Sequence, residues 1–478
     1  MSDSLKKKTA VGVLWSGVER FSAQGIRFLV VIVLARLLTP KDFGLIAMMA
    51  IFLGLAQSLV DSGFSQALVR KQDRTETDNC TVFYFNIVVG LILYLILYIT
   101  APFVSSFYDE PQLTKIMRVV STVVIINSFS VVQRALFTTS VNFKVQAYAT
   151  IFSAVLSGII GIIMAYQGFG VWTLVAQQII AAFINTLALW FYSSWRPVLL
   201  YSWRSFRELF SFGSKMLLSG LLDTVYVNLY RIVIGKIYNA TNLGYYNNAQ
   251  HFAELPSSNI TSILQRVTYP VLCSIQGEKK RLVKVYRQLL RLSAFIVFPL
   301  MCTLAAVASP LIDVLLGEKW HFVATLLVPL CFGMMWYPIH AINLNLLMVA
   351  GRSDLFLKLE VIKKILGVTI LVSSIPFGLV MMCYATIASS LLCLFINTYY
   401  TKKLIGVGFF MQIYDIMPTL ILSISMWCIV SVVDSFITSI LGQLIFGLLL
   451  ALAIFIVSVR VFDFKELSYL NNYIRHRK

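Results

Sequence analysis

The sequence predicts an all-α polytopic membrane protein of about fourteen transmembrane helices. Three observations predict it. The 478-residue chain is 59% hydrophobic and 13% charged, with a mean hydropathy of +0.82, more apolar surface than a water-facing domain uses. The apolar residues come in runs of roughly the 20 residues a spanning helix needs. The cations fall between those runs, predominantly in alternate connections.

Backbone chemistry makes the runs helices, because an unpaired N–H or C=O is too costly in hydrocarbon. The period-two alternation of a membrane barrel is absent. The spans are expected near 11–35, 43–66, 80–107, 113–136, 146–167, 170–193, 206–235, 243–270, 289–315, 322–349, 355–375, 378–399, 414–434 and 438–460. Met1 to Lys8 leads straight into the first of these, and that span carries Glu19, Arg20 and Arg27, which a cleavable signal does not.

Orientation follows from the basic residues. Lys6, Lys7 and Lys8 place the N-terminus inside. The even-numbered connections then face inward with Arg70, Lys71 and Arg74; Lys144; Arg196, Arg204 and Arg207; Lys279 to Arg287; Arg352; and Lys402 and Lys403. The tail adds Lys465, Arg475, Arg477 and Lys478. N-in, C-in and an even number of spans follow. No connection is long enough for a soluble catalytic domain.

A repeat lies at an offset of 200: Arg36 to Leu45 aligns with Lys236 to Tyr245, and each stretch joins a polar-studded helix to the next. Ala101-Pro102-Phe103 and Ser309-Pro310-Leu311 align at an offset of 208. An even number of spans separates the copies, so the repeat is parallel. It implies a six-helix lobe over 1–200, a second over 201–405, and helices thirteen and fourteen with a tail over 406–478. In transporters the substrate route usually lies where such repeats meet.

Polar residues within spans are expensive and are functional candidates by default. On helix one, Ser16, Arg20, Gln24 and Arg27 share a face at i, i+4, i+8 and i+11, with Glu19 beside it. Two guanidiniums on a wet face can grip a pyrophosphate or an acidic sugar with forked hydrogen bonds. The structural alternative is an ion pair, Arg20–Glu19 or Arg27–Asp61, that only locks helices together. Helix two carries Gln57 and Asp61, an acid that can counter those arginines or bind a coupling cation. Helix seven carries Lys215, Asp223, Tyr226, Tyr230 and Arg231. Asp223, Tyr226 and Tyr230 share a face, and tyrosine suits sugar recognition with its apolar ring and hydroxyl. Helix eight carries Asn247, His251, Glu254 and Ser258 on one face, with Pro256 expected to kink it. His251 and Glu254 can take up and release protons or brace the helix. Glu360, Lys363 and Lys364 lie near the inner edge of helix eleven, where lysines snorkel. His340 reads as packing.

Several classes are excluded by what the chain lacks. It has no phosphate-binding G-x-x-x-x-G-K-[ST] loop, and Gly213-Ser214-Lys215 lacks that glycine frame. Zinc-protease, serine-hydrolase and kinase signatures are absent too. The energy source is then an ion gradient, the membrane potential or removal of product. Seven cysteines without a C-x-x-C pair read as small membrane residues. No cofactor is expected, and no nucleic acid despite the net charge of +18, because the cations are loop cations.

Five stretches resemble a known family: Ala35-Arg36-Leu37-Leu38-Thr39-Pro40-Lys41-Asp42-Phe43-Gly44-Leu45-Ile46-Ala47; Asp61-Ser62-Gly63-Phe64-Ser65-Gln66-Ala67-Leu68-Val69; Gly168-Phe169-Gly170-Val171-Trp172-Thr173-Leu174-Val175; Leu243-Gly244-Tyr245-Tyr246-Asn247; and Ala350-Gly351-Arg352-Ser353-Asp354. The chain looks like the Wzx-type and teichuronic-acid-type polysaccharide transporters of the multidrug/oligosaccharidyl-lipid/polysaccharide exporter superfamily. The resemblance implies two six-helix lobes around a central cavity, alternating access, a bacterial inner membrane and an undecaprenyl-pyrophosphate-linked repeat unit as substrate. It implies cationic cavity residues, which Arg20 and Arg27 supply. It makes membrane lipids, a polysaccharide polymerase and glycosyltransferases candidate partners. Asn248 stands where relatives carry a basic residue.

The leading expectation is therefore a flippase, not an enzyme. Its substrate contacts are assigned to Arg20, Gln24, Arg27, Asp223, Tyr226, Tyr230 and Asn247, and its ion coupling to Asp61, His251 and Glu254. A cation-coupled drug antiporter would lean on Asp61, Asp223 and Glu254. A membrane-embedded sugar polymerase or ligase would need longer outward connections than this chain has.

Overall fold

The computed structural model describes residues 3–61 and 63–461, with side chains from Trp15 onward except at positions 212, 215, 216, 219 and 267. Every regular element among the described residues is helical. The chain divides into two compact units, Met1–Gly244 and Tyr245–Lys478.

The first unit holds α1 (Asp3–Leu37), α2 (Pro40–Asp61), α3 (Phe64–Arg70), α4 (Glu76–Tyr108), α5 (Gln112–Val120), α6 (Thr122–Ser128), α7 (Val131–Thr139), α8 (Phe143–Tyr166), α9 (Val171–Tyr192) and α10 (Trp203–Ile237). Helix α11 (Ala240–Ser274) starts at its end and runs into the second unit. There follow α12 (Lys279–Ala306), α13 (Ala308–Leu315), α14 (His321–Met334), α15 (Tyr337–Val349), α16 (Ser353–Ser374), α17 (Leu379–Ile405), α18 (Phe409–Asp434) and α19 (Ile440–Val461).

Several expected spans are broken or displaced, each for a local reason. The fourth, 113–136, is three pieces, with α7 bent by 41° from the helices before it. At the bend the Ser128 and Ser130 hydroxyls donate to the carbonyls of Ile125 and Asn127 at 2.7 and 2.9 Å, competing with the helix ladder. The tenth breaks between α14 and α15, where Pro338 in the first turn of α15 disfavours helix just before it. The second breaks after Asp61; Ser62 lies outside the described residues. Helix α12 begins at Lys279, well before the expected 289, because Leu282, Tyr286 and Leu290 form a buried stripe under its basic face. Pro256 and Pro270 sit within a continuous α11.

In lipid, apolar contact alone does not join helices, so close backbone approach matters. Helix α8 buries Ala147, Ser153, Ala154, Ser157, Gly158 and Gly161 and packs against α1 and α9. Val30 of α1 lies where a Cβ on Gly158 would stand. The end of the first unit nearest the α3–α4 turn has an aromatic core in which Phe64, Phe83 and Leu209 are buried, with Trp190, Trp195 and Phe206 against them. Lys71 ties the turn down, its ammonium 3.1 Å from Glu208 and 3.2 Å from Asp78. The second unit has its own core of Val307, Met426, Val430 and Ala451. Toward the other end of α12 and α18, Tyr286, Asn343, Gln412 and Thr401 form a buried chain of hydrogen bonds, and Arg287 forks onto Asp415 with both contacts at 2.6 Å.

The repeat is visible in the geometry. Helices α2 and α11 start at Pro40 and Ala240, positions related by the offset of 200. Thr39 caps α2, its hydroxyl oxygen accepting from the Asp42 N–H at 3.3 Å while the Asp42 carboxylate accepts from the Thr39 N–H at 2.9 Å. Asn239 caps α11, its side-chain oxygen accepting from the Asn242 N–H at 2.8 Å. The two starts then cross reciprocally. A Cβ on Gly44 would lie 1.7 Å from the Ala240 carbonyl oxygen, and one on Gly244 would lie 1.9 Å from that of Pro40. Glycine in both copies lets the backbones touch.

Among the described residues, nine helical stretches are long and apolar enough to cross a membrane, or ten when the bent pair counts as one span. Helices α1, α10, α11 and α16 fall outside that set. These four hold most of the candidate residues and carry charged side chains or, on α11, many amides and hydroxyls.

Candidate functional site

Helix α1 presents its charges in two directions. The Glu19 carboxylate accepts a hydrogen bond from the Thr150 hydroxyl of α8 at 3.0 Å. Arg20 and Arg27 are exposed, and Ser16 and Gln24 half-buried. Among the described residues neither arginine has a carboxylate within 4 Å, so neither of the two ion pairs set out as alternatives is formed at that distance.

A polar group gathers beside Arg27 within the first unit. Gln57 donates to Asp61 at 3.3 Å, and Asn127 of α6 donates to Gln57 at 2.8 Å. The Arg134 guanidinium of α7 feels Asp61, Glu19 and Arg27 together. Arg27 and Glu19 of α1 and Asp61 of α2 thus all act on the charge of Arg134, and Asn127 joins Asp61 through Gln57. Arg20 lies two turns before Arg27 on the same helix, so α1 and α7 together carry more guanidiniums than carboxylates here, an excess that suits an anion. Sequence reasoning missed Arg134 and Asn127. An arginine inside the expected span 113–136 was the available signal; the break that swings α7 was not readable.

On α10, Asp223 is exposed, and Tyr226 and Tyr230 are half-buried. Thr224 lies on the face toward α2, its hydroxyl 3.1 Å from that of Ser58. Asn228 takes a hydrogen bond from Arg231 at 2.9 Å. The Lys215 side chain lies outside the described residues. In the second unit, α11 carries Asn247 and Glu254 half-buried and His251 exposed. His340 is held from both ring nitrogens, Nδ1 by Asn397 at 3.3 Å and Nε2 by Ser390 at 3.0 Å. The Asn397 amide is a donor there, so Nδ1 accepts and Nε2 carries the proton. Lys363 does not simply snorkel, for its ammonium contacts Glu360 at 2.5 Å with little exposure. Among the described residues no group of three or more His, Cys, Asp or Glu converges on a metal position.

The loop motifs act as fasteners. Arg352 makes a fork onto Asp354 with contacts of 2.9 and 2.7 Å in the turn between α15 and α16. That fork holds the Asp354 carboxyl down at about 2, against an ordinary 3.8.

These features define a multi-pass helical membrane protein. The fold matches that of the lipid II flippase MurJ in an inward closed conformation, with a TM-score of 0.75 at 13% identity over 94% of this chain and 98% of that one. The chain belongs to the polysaccharide biosynthesis protein family, whose model matches residues 33–325. It is 25% identical over 354 residues to the teichuronic acid biosynthesis protein TuaB of Bacillus subtilis (strain 168), covering 74% of this chain and 73% of that one. It is 24% identical over 323 residues to the succinoglycan biosynthesis transport protein ExoT of Rhizobium meliloti (strain 1021), covering 67% and 65%. The resemblance read from the loop motifs holds.

Proposed function

We propose that this protein is a flippase that carries an undecaprenyl-pyrophosphate-linked oligosaccharide repeat unit across the bacterial inner membrane by alternating access. The observation that carries the reading is the pair of exposed guanidiniums Arg20 and Arg27 on α1, neither with a carboxylate within 4 Å among the described residues, with Arg134 acting on Arg27, in a member of the polysaccharide biosynthesis family. A pyrophosphate offers oxygens for forked bonds from more than one arginine, and such bonds are the strong ones in a poorly hydrated site. Gln24, Asp223, Tyr226, Tyr230 and Asn247 line the sugar path in this reading. With α1, α10, α11 and α16 also crossing, the spans number fourteen, and both termini face the cytoplasm. The polar faces of those four helices are tolerable in the bilayer only if they line water.

Movement of the headgroup requires no bond to be made or broken, so the protein works as a carrier. Coupling to an ion gradient falls to Asp61, His251 and Glu254. A cationic-drug antiporter is disfavoured by the guanidinium excess around α1. The test is complementation of a deletion strain. Arg20→Ala with Arg27→Ala is expected to abolish surface polysaccharide while leaving the protein in the membrane at normal level. Full polysaccharide in that double variant would overturn the assignment.

A further inference from the structure

A concavity without arginine in its lining lies in the first unit. It is a groove of about 980 Å³ between α8 and α9, walled by Tyr148, Phe152, Phe191 and Tyr192, with Ala149 and Ala188 among its lining. Phe191 is 82% exposed and Phe152 59%, so the walls stand open to whatever surrounds the protein. Tyr148 lies in the first turns of α8 and Tyr192 ends α9, so the aromatic rim lies at one end of the helix pair. By the distribution of cations, that end is the cytoplasmic one.

Lys144 stands beside the rim. The Lys144 ammonium sits 5.6 Å from the Trp15 ring and 5.7 Å from the Tyr148 ring, and those rings meet edge-on at 5.3 Å. Among the described residues no carboxylate lies within 4 Å of Lys144, so the rings are its only close partners. Such a cation is available to an anion while held in place by the ring faces. The residue beside it, Trp15, is on α1. At 1.5 Å per residue, Arg20 lies roughly 7 Å and Arg27 roughly 18 Å further along that helix.

We propose that the groove holds the isoprenoid chain of the lipid-linked substrate, with its first phosphate at Lys144. This rests on the flippase reading and names where the tail is held. A chain seated there delivers its headgroup to the foot of the α1 guanidinium series. The apolar tail then stays in a lipid-facing slot throughout, which removes the cost of drawing it through a polar route. A bilayer phospholipid in the same slot is the competing occupant, and aromatic rims at membrane interfaces arise without any ligand.

The experiment uses the full-length protein in vesicles of phosphatidylethanolamine and phosphatidylglycerol. One probe is undecaprenyl pyrophosphate with a diazirine in its chain; the other is phosphatidylglycerol with a diazirine in an acyl chain. Mass spectrometry locates the adducts. The expected result is polyprenyl labelling of α8 and α9 that unlabelled undecaprenyl pyrophosphate competes away and excess phosphatidylglycerol does not. Ala188→Trp, which fills the groove, and the more exposed Val155→Trp should each lower that labelling about tenfold. Lys144→Ala should lower it several-fold, with Lys144→Arg restoring it. Equal labelling by the two probes, labelling that does not compete, or polyprenyl adducts confined to other helices would overturn the proposal. Translocation of a sugar-bearing donor by the wild-type protein is measured in parallel. Transport without groove labelling sinks the groove alone; groove labelling without transport sinks the flippase reading.

Discussion

Glu19 and Arg20 are neighbours in sequence yet serve different surfaces, because consecutive helix positions point about 100° apart. The Thr150 hydroxyl holds Glu19 against α8, which leaves Arg20 and Arg27 outside that contact. Arg134 is the residue whose role the geometry adds. Asp61, Glu19 and Arg27 all act on its charge, so in the proposed reading it offsets the two carboxylates while Arg20 and Arg27 meet the ligand. Arg134→Ala is expected to cut transport of a lipid-linked sugar in proteoliposomes by about ten- to a hundredfold, since a charge-assisted bond contributes roughly 1.5–3 kcal/mol. Arg134→Lys should recover only part, lacking the fork. Unchanged transport in both variants would remove Arg134 from the site. The Asp354 carboxyl gives a pH test. Its pKa is held at about 2 by the Arg352 fork, so the carboxylate's share in ordering the turn is complete above pH 3.8 or so and is lost as pH falls through about 2. In Arg352→Gln the carboxyl should titrate near its ordinary 3.8, as followed by infrared absorption of isotopically labelled aspartate; a midpoint that stays near 2 would show that the fork is not the cause.

Among the elements, the starts of α2 and α11 carry the clearest constraint. Thr39 and Asn239 cap them alike, and Gly44 and Gly244 each receive the other copy's first carbonyl. The aligned glycines were legible in the sequence as a weak repeat. Their mutual contact was not, since it joins segments 200 residues apart. Gly44→Ala or Gly244→Ala should destabilise the protein by about 1–3 kcal/mol, the usual cost of forcing a methyl into a filled space, where here the obstacle is backbone. Thermal unfolding in detergent measures it; Gly220→Ala, where a Cβ meets nothing within 4 Å, is the control and should lose far less. Equal effects at Gly44 and Gly220 would mean that the crossing does not exist in the membrane. Breaks at Ser128–Ser130 and before Pro338 show how local chemistry divides apolar runs that hydropathy reads as continuous. Proline was visible at the second. At the first, serine can bond its own helix or face a neighbour, and only packing chooses.

For the whole molecule, hydropathy finds most helices but passes over the four that carry most of the candidate residues. Helices α1, α10, α11 and α16 fall outside the set found by apolarity, and they carry the charges, amides and hydroxyls that the proposed path would use. Their crossing is testable by impermeant maleimide labelling of single cysteines in a cysteine-free background. Cysteines at Asp109 and Ser435 should label from outside the cell, and cysteines at Asp73, Ser202 and Lys402 only after permeabilisation. Labelling of position 202 from outside would break the fourteen-span topology, because it would leave α10 on the wrong side. The two units each have their own aromatic or aliphatic core, and α10 belongs to the first by its packing on α2, α3 and α4.

The sequence by itself determined that the chain is helical, membrane-spanning and a member of a polysaccharide family. Those properties follow from the length of apolar runs, the placement of cations and short loop motifs, all of which are local in the chain. It also placed Arg20, Gln24 and Arg27 on one face of one helix, because helical period is a property of a single segment. Only the tertiary structure decided that Glu19 turns to Thr150, that the charges of Asp61 and Arg27 act on Arg134, and that two glycines receive each other's carbonyls. Each of these is a meeting of side chains or backbones from distant segments, fixed by which helices pack together and where they bend.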